Sequence, residues 1–327
     1  MILSASTFRS LAFVRTTRLH TFQPISRSMS LVAPLLVTPK ALQDLRSAVN
    51  VNILDASWFM PNSTLNASNE FTKRHIPGAH YLDLDEVAAS NELGLKHMMP
   101  SAQTFSDALE KFGITPTSHV VLYDSQGIFS APRALFMFRS FGHGKSSVLD
   151  GGLPRWEVEG FPTETGTAAE ISRSKYPVPS LASENIKSYK QVVSNADKEL
   201  SDPLAEIVLD ARPHGRYAGT DPEPRPGLSS GHIPHSFSLP FNALLQTNAV
   251  PNSDRTFTTF LPPSELRRKL TNAVGNEYAQ LILEGKRSVT TTCGSGMTAG
   301  STLVSLYDES WTGYASRPES TINKNVP

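Results

Sequence analysis

Apolar and β-branched residues along this chain gather in short runs that recur in two series, each run closing on a polar turn. VNILDAS (51–57) and EIVLDAR (206–212) both carry a buried-strand pattern into an Asp-Ala pair. HVVLYD (119–124) pairs with SVTTTC (288–293), and SSVLDGGLPRW (146–156) with LVSLYDESW (303–311). About twenty residues after the first run of each series come HIPGAHYLDL (75–84) and HIPHSFSLPF (232–241), with His75 and His232 in the same place. Three of these four landmarks lie 155, 157 and 158 residues from their counterparts, so the chain reads as an internal duplication. Helical spacing appears between the runs. Phe105, Leu109 and Phe112 share one face, and Leu266, Leu270 and Val274 follow Ser264, a candidate N-cap. Two copies of about 130 residues, each alternating strands with helices, predict an α/β fold of two tandem domains, each a mainly parallel sheet flanked by helices. The first domain is expected at 35–160 and the second at 187–320. Between them, residues 161–186 are rich in Pro, Thr, Ser and Ala and read as a linker.

The duplication also exposes a defect. Asp124 and Asp150 are 26 residues apart, whereas their counterparts Cys293 and Asp308 are 15 apart. In the first copy this interval holds the helical pattern APRALFMFRSFGH (131–143); in the second only AGSTLV remains before SLYD. Joining two parallel strands takes a crossover of about a dozen residues or more. Either the SLYD strand fails to pair in its expected place, or the helix after Cys293 shrinks to about one turn. The gap of about ten residues reads either as a segment lost from the reading frame of an active enzyme or as a shortened variant with impaired folding.

Composition narrows the function. Thirty Lys and Arg balance thirty Asp and Glu, which leaves no basic excess for a general nucleic-acid binder. No apolar run of 18 residues exists, so no membrane span is expected. A single Cys excludes an internal disulfide and any multi-cysteine metal site. Residues 1–30 contain four Arg and six Ser, and the first acidic residue is Asp44. That composition predicts a mitochondrial transit peptide, with a cytosolic form arising if translation starts at Met29.

Cys293 is expected at the carboxyl end of a parallel strand, where open α/β sheets bind ligands. It opens the segment CGSGMTAG (293–300), in which Gly294 and Gly296 let successive N–H groups turn inward, a concavity that favours thiolate. Ser295 and Thr298 add hydroxyl donors. A buried, inert thiol is the competing reading.

The tandem copies, the two HIP motifs, GRYAGTDPEPR (215–225) and CGSGMTA together resemble the two-domain rhodanese family, in particular the 3-mercaptopyruvate sulfurtransferases, over about residues 35–318. The resemblance implies a silent first domain, where Asp124 takes the Cys place, and a catalytic second domain carrying Cys293. It implies that the thiolate takes sulfur from 3-mercaptopyruvate as a persulfide and passes it to a thiol, thioredoxin or cyanide. Arg216 and Arg225 would bind the donor carboxylate, for which a planar guanidinium fork is suited, although surface ion pairs with Asp221 and Glu223 are the alternative. Gly294, Ser295, Gly296, Met297 and Thr298 would complete the substrate loop. Family members that use thiosulfate carry Arg and Lys after the Cys; Gly294 and Ser295 here favour mercaptopyruvate. His75 and Asp124 are possible supporting residues, with His75 and His232 more apt to hold their turns. Where the family has Gly and Ala after HIP, His235 and Ser236 stand, so that turn is expected to differ. No metal or organic cofactor is implied, and the expected partners are a small sulfur donor and a thiol acceptor. Two other readings compete. A Cys-x5-Arg phosphatase loop is excluded by Ala299 at the sixth position after Cys293, and a sulfur-relay or inactive protein serving a protein partner stays open.

Overall fold

The structure, a computed structural model, describes residues 32–47, 50–302 and 304–325; the transit-peptide reading falls outside them. The first copy builds a five-stranded sheet from β1 (Leu36–Val37), β2 (Val51–Asp55), β3 (Ala79–Tyr81), β4 (His119–Tyr123) and β5 (Ser146–Leu149). Their order is β1-β5-β4-β2-β3, and every pairing is parallel. Helices α1 (Pro39–Leu45), α2 (Ala67–Lys73), α3 (Ala102–Lys111), α4 (Ala131–Ser140) and α5 (Gly152–Val158) flank it. Val120, Val121, Leu122 and Tyr123 of β4 are all fully buried, as a central parallel strand covered on both faces must be.

The second copy repeats this plan. Strands β6 (Ile186–Lys187), β7 (Ile207–Asp210), β8 (Ser236–Ser238), β11 (Val289–Thr292) and β12 (Ser305–Tyr307) lie in the equivalent order β6-β12-β11-β7-β8, again all parallel. The expected fold class of two tandem α/β domains is therefore present. Its helices are α6 (Tyr189–Ala196), α7 (His214–Ala218), α8 (Pro263–Leu283) and α9 (Ser310–Ala315). An antiparallel hairpin, β9 (Leu245–Ala249) and β10 (Thr256–Phe260), has no counterpart in the first sheet and was not anticipated. Leu266, Leu270 and Val274 do pack into the second core, but Ser264 is not the cap: α8 begins at Pro263 after Pro262, which fits the helix because Pro lacks an N–H that would go unpaired there. Residues 163–182 hold no helix or strand and are tied to the first copy through Tyr176, whose carbonyl accepts from Ser106 Oγ and whose hydroxyl meets His143 Nδ1.

Of the two outcomes foreseen for the short interval after Cys293, the second is observed. Strand β12 pairs with β11 in register, Thr290 opposite Ser305 and Thr291 opposite Leu306. The crossover helix is cut to a 3-10 turn, Thr298–Thr302, where the first copy has the ten-residue α4. Helix α4 packs against this turn closely enough that a methyl added at Gly300 would lie 3.0 Å from the Arg133 Cα. Beside the turn runs an apolar groove of about 430 Å³, lined by Leu135, Leu209, Leu239, Leu266, Leu270 and Val304 among others.

The HIP turns do not diverge as expected. His235 adopts φ +61° where the first copy has Gly78 at φ +74°, so the same left-handed turn forms with a side chain that disfavours it. Such a conformation costs an L-residue roughly 1–2 kcal/mol. His235→Gly is therefore expected to raise unfolding stability by about 1 kcal/mol, read from urea denaturation midpoints; a loss of stability would mean that the imidazole makes a compensating contact.

Candidate active site

Cys293 follows the last residue of β11, and its backbone is fixed from outside by α9. Its N–H donates to Ser310 Oγ (3.1 Å), and its carbonyl accepts from the Trp311 N–H (2.9 Å). The next carbonyl, that of Gly294, accepts from both the N–H (2.9 Å) and the hydroxyl (2.6 Å) of Thr312. Gly296 turns the loop back at φ +83°, and a methyl there would come within 2.8 Å of the Asp308 carbonyl oxygen, so only Gly fits. Cys293 is 2% exposed.

A cleft of about 270 Å³ opens above it, and its lining joins both copies. The second copy supplies Cys293, Gly294, Ser295, Met297, Thr298, Arg216 and Arg225, which brings together most of the residues singled out from the sequence. The first copy supplies Trp58, Met60 and Phe129. Trp58 stacks on Phe129 (ring centroids 6.3 Å), which in turn meets Phe241 of the second copy edge-on (6.3 Å), so one wall of the cleft is aromatic.

Another part of the lining is cationic. A methyl at Gly294 would lie 3.3 Å from Arg216 Nη2 and 3.6 Å from Arg225 Nη1, which places both guanidinium groups beside the Cys293 loop. Arg216 is anchored by Glu223, while Asp221 pairs with neither Arg. Among the described residues no carboxylate is in ion-pair contact with Arg225. Burial, reinforced by repulsion from Arg216, pulls its pKa below the usual guanidinium value, with Cys293 and Glu223 acting in the other direction. Behind them Arg212 is buried between Asp210 (2.5 Å) and Glu223 (2.7 Å) and lies over the Trp311 ring at 3.9 Å. Burial opposes its charge, but Asp210 and Glu223 outweigh that and hold its pKa above the usual value.

His75 and Asp124 do not border the cleft. His75 Nδ1 meets the Phe71 carbonyl (2.8 Å) with the rings stacked at 4.0 Å, and His232 meets the Tyr217 carbonyl (2.9 Å) with the same 4.0 Å stacking. Asp124 is fully buried at the end of β4, and its carboxylate accepts four backbone N–H groups, from Gln126 (3.0 Å), Phe129 (2.8 Å), Ser130 (3.0 Å) and Ala131 (3.0 Å). The first-copy loop is thus an anion cradle closed by its own side chain.

Near it, burial raises the pKa of Asp55 to about 6, partly offset by hydrogen bonds from Ser57 and Tyr123. A carboxyl whose folded pKa is raised stabilises the fold fully below its unfolded value near 3.8, and that contribution is lost as pH rises through about 6. Stability is therefore expected to fall by up to about 3 kcal/mol between pH 4 and pH 7 from this group. Urea denaturation across that range should show a shallower slope in Asp55→Asn; an unchanged slope would sink the assignment.

Sequence reasoning missed Arg212, Trp58, Phe129 and Phe241. Arg212 had a signal, since LDAR replaces the LDAS of the first copy. The aromatic wall had none, because it forms only when the two copies pack together.

Comparison with known proteins shows what the chain as a whole is similar to. The rhodanese-like domain family matches residues 38–159. The chain is 34% identical to 3-mercaptopyruvate sulfurtransferase of Mus musculus, an alignment covering 87% of this chain and 92% of that protein. It is also 34% identical to the mitochondrial thiosulfate/3-mercaptopyruvate sulfurtransferase 1 of Arabidopsis thaliana, over 84% of this chain and 74% of the relative. Among solved structures, a sub-stoichiometric sulfur transferase subunit of yeast mitochondrial complex I superposes with a TM-score of 0.74 at 30% identity, covering 89% of this chain and all of that one.

Proposed function

Since the chain belongs to the 3-mercaptopyruvate sulfurtransferases of the rhodanese family, we propose that it carries sulfur on Cys293, taking it from 3-mercaptopyruvate and giving it to a thiol. The Cys293 thiolate attacks the donor sulfur and a sulfur–sulfur bond forms. The donor carbon–sulfur bond breaks, and its electron pair leaves on carbon as the enolate of pyruvate, which then takes up a proton. An acceptor thiolate, such as that of thioredoxin, attacks the outer sulfur and restores the Cys293 thiolate, so the kinetics are ping-pong. Arg216 and Arg225 hold the donor carboxylate. We assign to the loop N–H groups and the Ser295 and Thr298 hydroxyls the stabilisation of the charge that builds on sulfur, in the manner of an oxyanion hole. The observation that carries this reading is the pair of guanidinium groups beside Gly294 in the same cleft as Cys293. Thiosulfate is the poorer donor, because the two residues after Cys293 are Gly294 and Ser295. A mitochondrial site of action agrees with the Arabidopsis and yeast relatives.

The yeast relative supports a second reading, in which Cys293 relays sulfur only to a protein partner. Turnover separates the two. Incubation with 3-mercaptopyruvate and a small thiol should release pyruvate continuously; a single stoichiometric release that stops would favour the relay.

A further inference from the structure

Arg133 belongs to α4 of the first copy, yet its side chain is 3% exposed and reaches the second. Its Nη2 pairs with Asp308 Oδ1 (2.7 Å) and donates to the His97 carbonyl (2.5 Å), while Nη1 faces the carbonyl of Gly296 inside the Cys293 loop (3.4 Å). Asp308 is held in turn by the Met99 N–H at its other oxygen (2.7 Å). Taking such a pair out of water is costly, and a hydrophobic replacement is often no less stable, so stability alone gives weak reason for the pair to be there.

We propose that Arg133 is a positioning residue for sulfur transfer: its hold on the Gly296 carbonyl sets the peptide planes of the Cys293 loop. A trans peptide is planar, so fixing this carbonyl toward Arg133 sends the Met297 N–H the opposite way. The Asp124 loop shows that a turn of this kind can gather backbone donors on one group, since the N–H groups of Gln126, Phe129, Ser130 and Ala131 converge there on a single carboxyl, although Ile128, the counterpart of Met297, is not among them. With the carbonyl released, the plane can turn and aim an oxygen at the sulfur instead. The first copy thus takes part in the reaction through one side chain while carrying no nucleophile of its own. The inference rests on the reading of Cys293 as the sulfur carrier.

Two variants test it in the full chain. Arg133→Met with Asp308→Asn removes both charges together, and Arg133→Lys keeps the partner of Asp308 but is too short to reach the Gly296 carbonyl as well. The first readout is the rate at which iodoacetamide alkylates the single Cys at pH 7, followed by intact mass, which needs no turnover. The second is the kinetics with 3-mercaptopyruvate. The expected result is alkylation and kcat both about tenfold lower in the double variant, a smaller loss in Arg133→Lys, and an unchanged KM because Arg216 and Arg225 are untouched. Alkylation at the wild-type rate in folded Arg133→Lys would overturn the proposal, as would a raised KM with kcat preserved. A wild-type chain that alkylates but never forms pyruvate would instead count against the function proposed above, and the alkylation comparison would still decide the role of Arg133.

Discussion

Cys293→Ser is expected to take up no sulfur from 3-mercaptopyruvate and to release pyruvate at least about a thousandfold more slowly than the wild type. A serine hydroxyl is not ionised near neutral pH, and it lacks the soft sulfur that makes thiolate a good nucleophile toward another sulfur. The chain has one Cys, so no neighbouring thiol can substitute. The replacement is nearly isosteric at a buried position whose backbone is fixed by Ser310 and Trp311, so the fold should survive and the effect can be read as chemistry. Intact-mass measurement after incubation with donor should show one added sulfur on the wild type and none on the variant. Sulfur retained by folded Cys293→Ser would place the carrier elsewhere and sink the assignment.

The duplicated pattern made the fold legible because the runs that form β2, β3 and β5 recur in the second copy at offsets of 155–158 residues and the run that forms β4 recurs at 169. A parallel strand covered on both faces, such as β4 or β7, leaves an apolar run that survives without any tertiary information. The hairpin β9–β10 escaped because its residues, LQTNA and TFTTF, are largely polar and have no counterpart in the first copy. The cleft residues Cys293, Arg216 and Arg225 were legible because they lie in motifs. What could not be read was whatever one copy lends to the other: Trp58 and Phe129 approach the cleft, and Arg133 the loop, from more than 160 residues away in sequence. The turn at His235 fails for a different reason. The left-handed backbone was kept by surrounding structure although the residue suited to it was not, so residue type and conformation parted company there.

Restoring about ten residues between Gly300 and Ser305, patterned on the apolar face of α4, should raise the melting temperature by about 6–12 °C. The interval now closes with the 3-10 turn Thr298–Thr302, and the groove beside it shows aliphatic side chains from both copies. In the first copy the equivalent helix buries Leu135, Phe136, Met137 and Phe138, each 3% exposed or less. Burying one such side chain contributes roughly 1.5–3 kcal/mol, and ordering the added residues takes back much of that. A net gain of about 3 kcal/mol corresponds to the stated shift at about 2–4 °C per kcal/mol. Restoring the helix also brings back its N-terminus next to the sulfur. Charge stabilisation of about 0.3–1 kcal/mol there should speed turnover by roughly two- to fivefold. A ten-residue Gly/Ser insertion of the same length separates the two causes, since it relieves the short crossover without covering the groove. It should leave the melting temperature within about 2 °C of the parent, because flexible residues add closure entropy but bury nothing. Equal melting temperatures and equal rates for the helical insertion and the parent would show that the shortened crossover costs this fold nothing.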